Sequence, residues 1–266
     1  MTKLAAFRRR VRGFYEREGR HALPWRTTRD PYRILVSEVM LQQTQVERVI
    51  PKYEAFLKRF PTARSLAKAR LGDVLRLWQG LGYNRRAKLL HDAAKVIASK
   101  RSFPRTLEEL RALPGVGTYT AAAVMTFAFD EPVPLIETNV RTVFIHHFFA
   151  DEDGVDDDAL MPLIERTLDR TRPREWYYAL MDYGSHLKKT VGNASARSVH
   201  HVRQSAFKGS DREVRGAIVR TLAAGPKQRE TLHASLPFDL QHIDEQLERL
   251  IEEGMVVRRR AAYALP

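Results

Sequence analysis

The sequence predicts an all-α protein that ends in a small winged-helix-like module. Three observations carry the prediction. Apolar residues recur at helical spacing from Leu4 to about residue 190, and nothing in that span alternates like a strand. Helix-start signals punctuate the same span, from Asp30-Pro31 onward. The pattern then changes after a polar stretch rich in Ser, Asn, Arg and His. The boundaries that follow are a helical domain over 1–191, a basic linker over 192–209 and the module over 210–266.

Taken in order, Asp30-Pro31 caps a helix carrying Ile34, Leu35, Val39 and Leu41. Thr44-Gln45-Val46-Glu47 reads as a capping box for a second helix reaching about Lys58. Pro61-Thr62 and Ser65 precede a helix containing Leu66, Gly80 to Tyr83 form a turn, and Arg85 to Lys100 return to helix. Thr106 to Glu109 reads as a further capping box. It leads to Leu113-Pro114-Gly115-Val116-Gly117-Thr118-Tyr119, where two glycines flank one apolar residue before a helix of small residues. Gly115 and Gly117 are expected to adopt angles that a β-carbon resists. Amides gathered there beside a helix start suit a phosphate, so the layout reads as a helix-hairpin-helix clamp on a DNA backbone, with an ordinary helix turn as the alternative. The acidic run Asp151 to Asp158 lacks the full spacing of a calcium loop and is expected to cap a helix. In the last part, Ser210 to Glu213 opens a helix with Val214, Ile218 and Leu222. A short helix follows around Arg229 to Leu236, Asp239 caps another, and Met255 to Leu265 form a basic β-hairpin.

Composition narrows the partners. The 266 residues are 44% apolar, enough for a core, and carry a formal net charge of +13, which favours a polyanion such as nucleic acid. There is no cysteine, so disulfides, thiolate metal sites and iron–sulfur clusters have no ligands. The N-terminal residues have no long apolar core, and no run approaches the ~20 residues of a membrane span. A cytoplasmic, nucleoid-associated location with no membrane partner is expected.

Two carboxylates attract attention. Glu38 sits in a mainly apolar helix, where burial raises a carboxyl's pKa and fits it to act as a general acid. Bonding to backbone amides is the structural alternative. Glu137 lies about 20 residues after the hairpin, and a carboxylate there can face a sugar, as in the two-carboxylate scheme of glycosidic cleavage. Gln42-Gln43 at a helix end suits a base edge or a helix cap. Arg85, Arg86, Lys88, Lys188, Lys189, Arg197, Arg203 and Lys208 are candidate phosphate contacts. His146-His147 is expected to be structural and His200-His201 to belong to the linker, so no metal site is expected.

Leu23 to Arg26, Ser37 to Val46, Trp78 to Tyr83 and Leu113 to Ala123 occur in order. Together they resemble the MutY-type adenine-DNA glycosylases of the helix-hairpin-helix (HhH-GPD) superfamily over roughly residues 20 to 190. The resemblance implies two helical subdomains with the active site in the cleft between them, and a target nucleotide flipped out of duplex DNA. It aligns Glu38 with the general acid that protonates the departing adenine. Gln43 and Tyr83 match residues that wedge into the base stack, and Glu137 falls where the family has a catalytic aspartate.

Four departures are visible. Glu137 is one methylene longer than that aspartate. Tyr119 stands where lyase-competent relatives have a lysine and adenine-specific ones usually a serine. With no Schiff-base amine there, a monofunctional hydrolase is expected, with Tyr119 lining the base pocket. Tyrosine at this position also resembles thymine/guanine mismatch glycosylases. The cluster cysteines are replaced by the basic segment Lys188 to Arg203, and the domain that reads oxidised guanine by the short C-terminal module.

The expected activity is therefore excision of a mispaired adenine from duplex DNA, leaving an abasic site for a downstream endonuclease. A monomer is expected, with no cofactor beyond a monovalent cation that the resemblance suggests at the Gly115-Val116-Gly117 hairpin. Thymine or uracil excision opposite guanine, a non-catalytic DNA-damage binder and a winged-helix transcription regulator are the alternatives.

Overall fold

The computed structural model describes residues 2–202 and 206–266. Arg203, a candidate phosphate contact, lies outside the described residues. Among those residues the chain runs through α1 (Lys3–Glu18), α2 (Pro31–Leu41), α3 (Val46–Arg59), α4 (Ala63–Ala67), α5 (Leu71–Trp78) and α6 (Arg85–Ser99). It continues through α7 (Leu107–Arg111), α8 (Thr118–Phe129), α9 (Thr138–Phe148), α10 (Asp157–Thr167) and α11 (Pro173–Thr190). The last part holds α12 (Asp211–Ala223), β1 (Lys227–Gln228), α13 (Arg229–Ser235), α14 (Leu240–Glu252), β2 (Val257–Arg259) and β3 (Ala262–Ala264). The helical class expected from periodicity is the class observed. No helix of the described residues is long and apolar enough to cross a membrane.

Two compact units emerge. The first comprises Met1–Ile34, Arg105–Arg111 and Val116–Arg203; the second Leu35–Pro104, Ala112–Gly115 and Gln204–Pro266. In the first unit α11 packs on α9 and α1. Phe7 meets Phe144 and Trp176 edge-on or tilted, and all three are buried. Asp182 of α11 is also buried and holds Arg26 of the Leu-Pro-Trp-Arg turn at 2.7 Å and Arg20 at 2.6 Å. Burial works to raise the Asp182 carboxyl, but the hydrogen bonds and charge of Arg26, then Arg20, hold it below the usual carboxylate range. Deleting one partner of such a buried pair costs about 3–5 kcal/mol, because the other charge stays buried.

In the second unit α4 lies on α6, α5 on α3 and α6, and α12 on α5 and α14. The Gly72 amide donates to the Pro266 carbonyl at 2.9 Å, tying the last residue to α5. The sheet has the order β1-β3-β2, both pairings antiparallel, with Tyr263 opposite Lys227 and Arg258. Strand β1, two residues long, was not foreseen; it lacks the length for a visible alternation.

The capping signals fared unevenly. Asp30, Ser210 and Asp239 accept from first-turn amides as expected. Thr44 does not cap α3. Its hydroxyl donates to the Gln42 and Leu81 carbonyls, both at 3.2 Å, and α3 starts at Val46 without a side-chain cap. The hydroxyl oxygen accepts from Arg86 Nη2 at 3.1 Å in place of a local amide.

Candidate active site

Glu38 owes its setting to α2. Asp30 Oδ1 accepts from the Tyr32 and Arg33 amides at 2.9 and 3.3 Å, and Pro31 begins the helix with its φ preset. Ile34 through Met40 are all buried, Glu38 included at 7% exposure. Past the helix, Gln42 is half-buried and Gln43 exposed, with Gln43 at φ +53°. Tyr83 in the α5–α6 turn is also left-handed, at φ +49°, and half-buried. Non-glycine residues at such angles are held there by their surroundings, and they concentrate at functional sites.

The surroundings in this case are chiefly Arg86. Its Nη1 donates to the carbonyls of Val39 at 2.8 Å, Met40 at 3.2 Å and Gln42; its Nη2 donates to Leu81 at 3.0 Å, Gly82 at 3.2 Å and the Thr44 hydroxyl at 3.1 Å. Burial lowers its pKa to about 10. The guanidinium fork can reach six oxygens on two turns at once, which an ammonium cannot do. Arg86 was expected to meet a phosphate; instead its terminal nitrogens are engaged with protein oxygens. Arg85, one residue earlier, is exposed.

The hairpin shows its two glycines in different roles. Gly115 sits at φ +74°, and a β-carbon there would meet Leu89 Cβ at 2.7 Å, so both conformation and space demand glycine. Gly117 has φ −85°, an ordinary angle, contrary to the expectation for it. A β-carbon on Gly117 would meet nothing within 4 Å, so what its glycine leaves open is the space in front of the backbone. Gly117 and Thr118 are exposed at the start of α8, while the Val116 side chain is buried. Tyr119, half-buried, lies in the first turn of α8.

Glu137 is the N-cap of α9. Its Oε1 accepts from the Asn139 and Val140 amides at 2.8 and 2.9 Å, and its Oε2 accepts from Asn139 Nδ2 at 3.1 Å. The longer side chain folds back on the helix start, whose positive end complements the carboxylate. Lys188 Nζ donates to Asn139 Oδ1 at 2.9 Å, completing a chain from Glu137 through Asn139 to Lys188. Burial lowers the Lys188 pKa; the Glu137 charge works to raise it and Arg141 to lower it, and the net direction is down. Gly184 of α11 lets this happen, since a β-carbon there would fall 2.3 Å from the Asn139 carbonyl oxygen. Neither Asn139 nor Gly184 stood out in the sequence; the one available signal was a glycine inside an otherwise helical run.

The remaining candidates divide. Lys189 and Lys208 are exposed. Lys88 pairs with Asp92 at 2.6 Å, and Arg197 donates to the Phe149, Ala150 and Glu152 carbonyls. His147 hydrogen-bonds the Tyr183 hydroxyl at 3.0 Å, with its pKa lowered to about 4 by burial and then by His146. Asp156 caps α10, as expected of the acidic loop. No group of three or more His, Cys, Asp or Glu among the described residues is arranged to hold a metal ion. A cysteine-held iron–sulfur cluster does not fit this chain, which has no thiolate to offer.

Residues 36–167 match the HhH-GPD superfamily base excision DNA repair protein family. Relatives named adenine DNA glycosylase include one from Mycolicibacterium smegmatis, 38% identical over 89% of this chain and 88% of the relative. The chain belongs to this family. A Mycobacterium tuberculosis relative of the same name is 38% identical over 95% of the chain and 91% of its own length. Among solved structures, a thermostable thymine-DNA glycosylase aligns with TM-score 0.61 and 27% identity over 69% of this chain and 86% of that one. A DNA complex of endonuclease III, 19% identical with TM-score 0.59 over 72% of this chain and 89% of that one, shares the fold. The HhH-GPD fold of this chain is thus the one its motifs resembled.

Proposed function

We propose that this protein is a base-excision DNA glycosylase that removes mispaired adenine from duplex DNA. It would hydrolyse the N-glycosidic bond and leave an abasic site. The carrying observation is a carboxyl buried in an apolar helix, Glu38, in a chain that shares 38% identity with adenine DNA glycosylases over most of its length. The adenine nucleotide flips from the stack, and Glu38 gives its proton to the base as the C1′–N bond breaks. Glu137 faces the cationic sugar; water adds at C1′ and its released proton returns to a carboxylate. Tyr119 lines the base pocket and offers no amine, so no Schiff base forms and the strand stays intact.

On this reading the exposed backbone at Gly115, Gly117 and Thr118 receives a phosphate, with Val116 contributing its amide. Arg85 and Lys189 add charge, and Gln42, Gln43 and Tyr83 meet the base stack. Arg86 and Lys188 act one step back, holding Gln42's turn and Glu137's partner respectively. Residues 210–266 form a winged-helix-like module. A monovalent cation at the hairpin belongs to the same reading, and exchanging potassium for a bulky organic cation should then weaken duplex binding. The protein would work as a monomer on chromosomal DNA, passing its product to an abasic-site endonuclease.

Single-turnover reactions on duplexes with adenine opposite guanine, 8-oxoguanine and cytosine, and with thymine or uracil opposite guanine, test the proposal. Adenine release with strand nicking only after alkali supports it. Release of pyrimidines alone overturns the adenine assignment, and a borohydride-trapped adduct overturns the monofunctional one.

A further inference from the structure

The first unit contains a cavity of about 380 Å³ that the reaction above does not use. It opens where the Leu-Pro-Trp-Arg turn, the end of α8 and the start of α11 come together. Asp130 on its wall is the C-cap of α8, whose other end carries the hairpin. The 12 residues of α8 span about 18 Å. Arg174 on its wall lies in the first turn of α11, and Lys188, joined through Asn139 to Glu137, lies in the last. That helix has 18 residues and is about 27 Å long. The cavity is thus distant from both the hairpin and Glu137.

Four arginines line this space, Arg26, Arg29, Arg172 and Arg174, against two carboxylates, Asp130 and Glu175. Three of the four arginines have an acid. Asp182 holds Arg26 at 2.7 Å, Asp130 pairs with Arg29 at 3.3 Å and Glu175 with Arg172 at 3.3 Å. The Arg174 guanidinium has no ion-pair partner among the described residues, although Arg174 is only 8% exposed. Asp130 accepts its backbone amide at 3.4 Å but not its side chain. Arg174 Nη2 donates to the carbonyls of Arg26 at 2.8 Å and Thr28 at 2.5 Å, and the guanidinium lies 5.5 Å from the Tyr178 ring centre. Its Nε and Nη1 make no hydrogen bond among the described residues, yet neither is sealed from solvent, so both open onto the cavity. A buried charge is costly unless an opposite charge meets it. Two carbonyls and a ring offset part of that cost and leave two donors over.

We propose that this cavity binds a phosphate dianion, free or as a monoester group, with Arg174 as its principal charged ligand. The Nε and Nη1 edge of a guanidinium presents two parallel donors, which match two oxygens of a phosphate. Arg29 and Arg172, with side chains 68% and 57% exposed, stand at the rim. Exposed ion pairs are weak, so both can turn from their carboxylates to the ligand at little cost. A nucleobase does not suit these walls. Tyr178 stacks on Phe127 with ring centres 4.7 Å apart, and Arg26 lies 4.4 Å from the same ring centre, so its two faces are covered. Nor is the phosphate that of the nucleotide being cut, since the hairpin and Glu137 lie at the far ends of α8 and α11. The site therefore stands apart from the excision reading. A dianion bound there links α8, α11 and the turn between α1 and α2, and stabilises the first unit by mass action.

The test titrates the full chain with inorganic phosphate by calorimetry at constant ionic strength, beside R174Q and a double variant carrying R29Q and R172Q. Thermal unfolding without phosphate verifies folding. R174Q is expected to weaken phosphate binding by roughly tenfold or more, and the double variant by a few-fold. If R174Q does not fold, because its two carbonyl bonds are altered, the double variant decides alone. Duplexes with and without a terminal 5′-phosphate separate the two sources of the group. A tighter grip on the phosphorylated duplex that the variants remove identifies a DNA end as the ligand. Phosphate binding that the variants weaken, with no difference between the duplexes, identifies a free small ligand. Phosphate binding unchanged in the folded variants belongs elsewhere, at the hairpin for one, and overturns the inference. So does a wild type that shows no saturable phosphate binding. None of these readouts measures base release, so the glycosylase reading stands or falls separately.

Discussion

Glu38 and Glu137 are the same side chain in opposite settings. Glu38 stands inside a helix whose residues from Ile34 to Met40 are all buried. Glu137 stands at a helix mouth, half-buried, with two backbone amides and a side-chain amide on its oxygens. In the proposed mechanism the buried setting belongs to the acid and the helix-mouth setting to the carboxylate that faces the sugar. Environment rather than residue type divides acid from counter-ion in two-carboxylate chemistry. The contrast also explains how a glutamate can stand where an aspartate is usual. The additional methylene is taken up by folding back onto the α9 amides.

Substitutions probe this division. Glu38→Gln should have the largest effect: single-turnover excision slowed by about 10²–10⁴-fold with duplex binding retained, since only the proton is removed. If it lost no more than Glu137→Gln, the assignment of acid and counter-ion would be reversed. Glu137→Gln should slow excision less, and should cost about 1 kcal/mol in chemical denaturation because a cap is weakened. Lys188→Met should slow excision by about tenfold at neutral pH with little change in binding. The wild-type pH profile sharpens this point. Burial lowers the Lys188 pKa, so the cation beside Glu137 is lost at a lower alkaline pH than for an exposed lysine, and the rate should fall there. Arg141 also faces Lys188 and is present in both proteins, so the alkaline limb attributable to Lys188 should vanish in the methionine variant. Gly184→Ala should act mainly on stability, by about 1–3 kcal/mol, as its methyl drives the Asn139 backbone away. A rate loss in folded G184A would show that the position of α9 itself matters to Glu137.

Local chemistry was legible in the sequence. Helical periodicity, the Asp30, Ser210 and Asp239 caps and the left-handed Gly115 all follow from neighbours in sequence. So did the family, because its motifs are contiguous. What escaped were features set by distant residues. Thr44 looked like a cap but answers to Leu81, 37 positions on. Gly117 looked like its twin Gly115 but differs in what stands in front of it. Arg86 and Lys188 read as surface cations, and only packing shows the carbonyls and the asparagine that hold them. Asp182 drew no notice, although it anchors Arg20 and Arg26 from more than 150 positions away.

Arg86 carries a consequence for anyone wishing to redesign the enzyme. One side chain ties the end of α2 and the turn before α6 into a single mechanical part, with no sheet or helix joining them. A library that diversifies Gly80 to Tyr83 alone would therefore also disturb the Gln42-Gln43 turn, and the reverse holds as well. New specificities in this region are best sought by varying both turns together around a fixed arginine, as a graft of one unit rather than two loops.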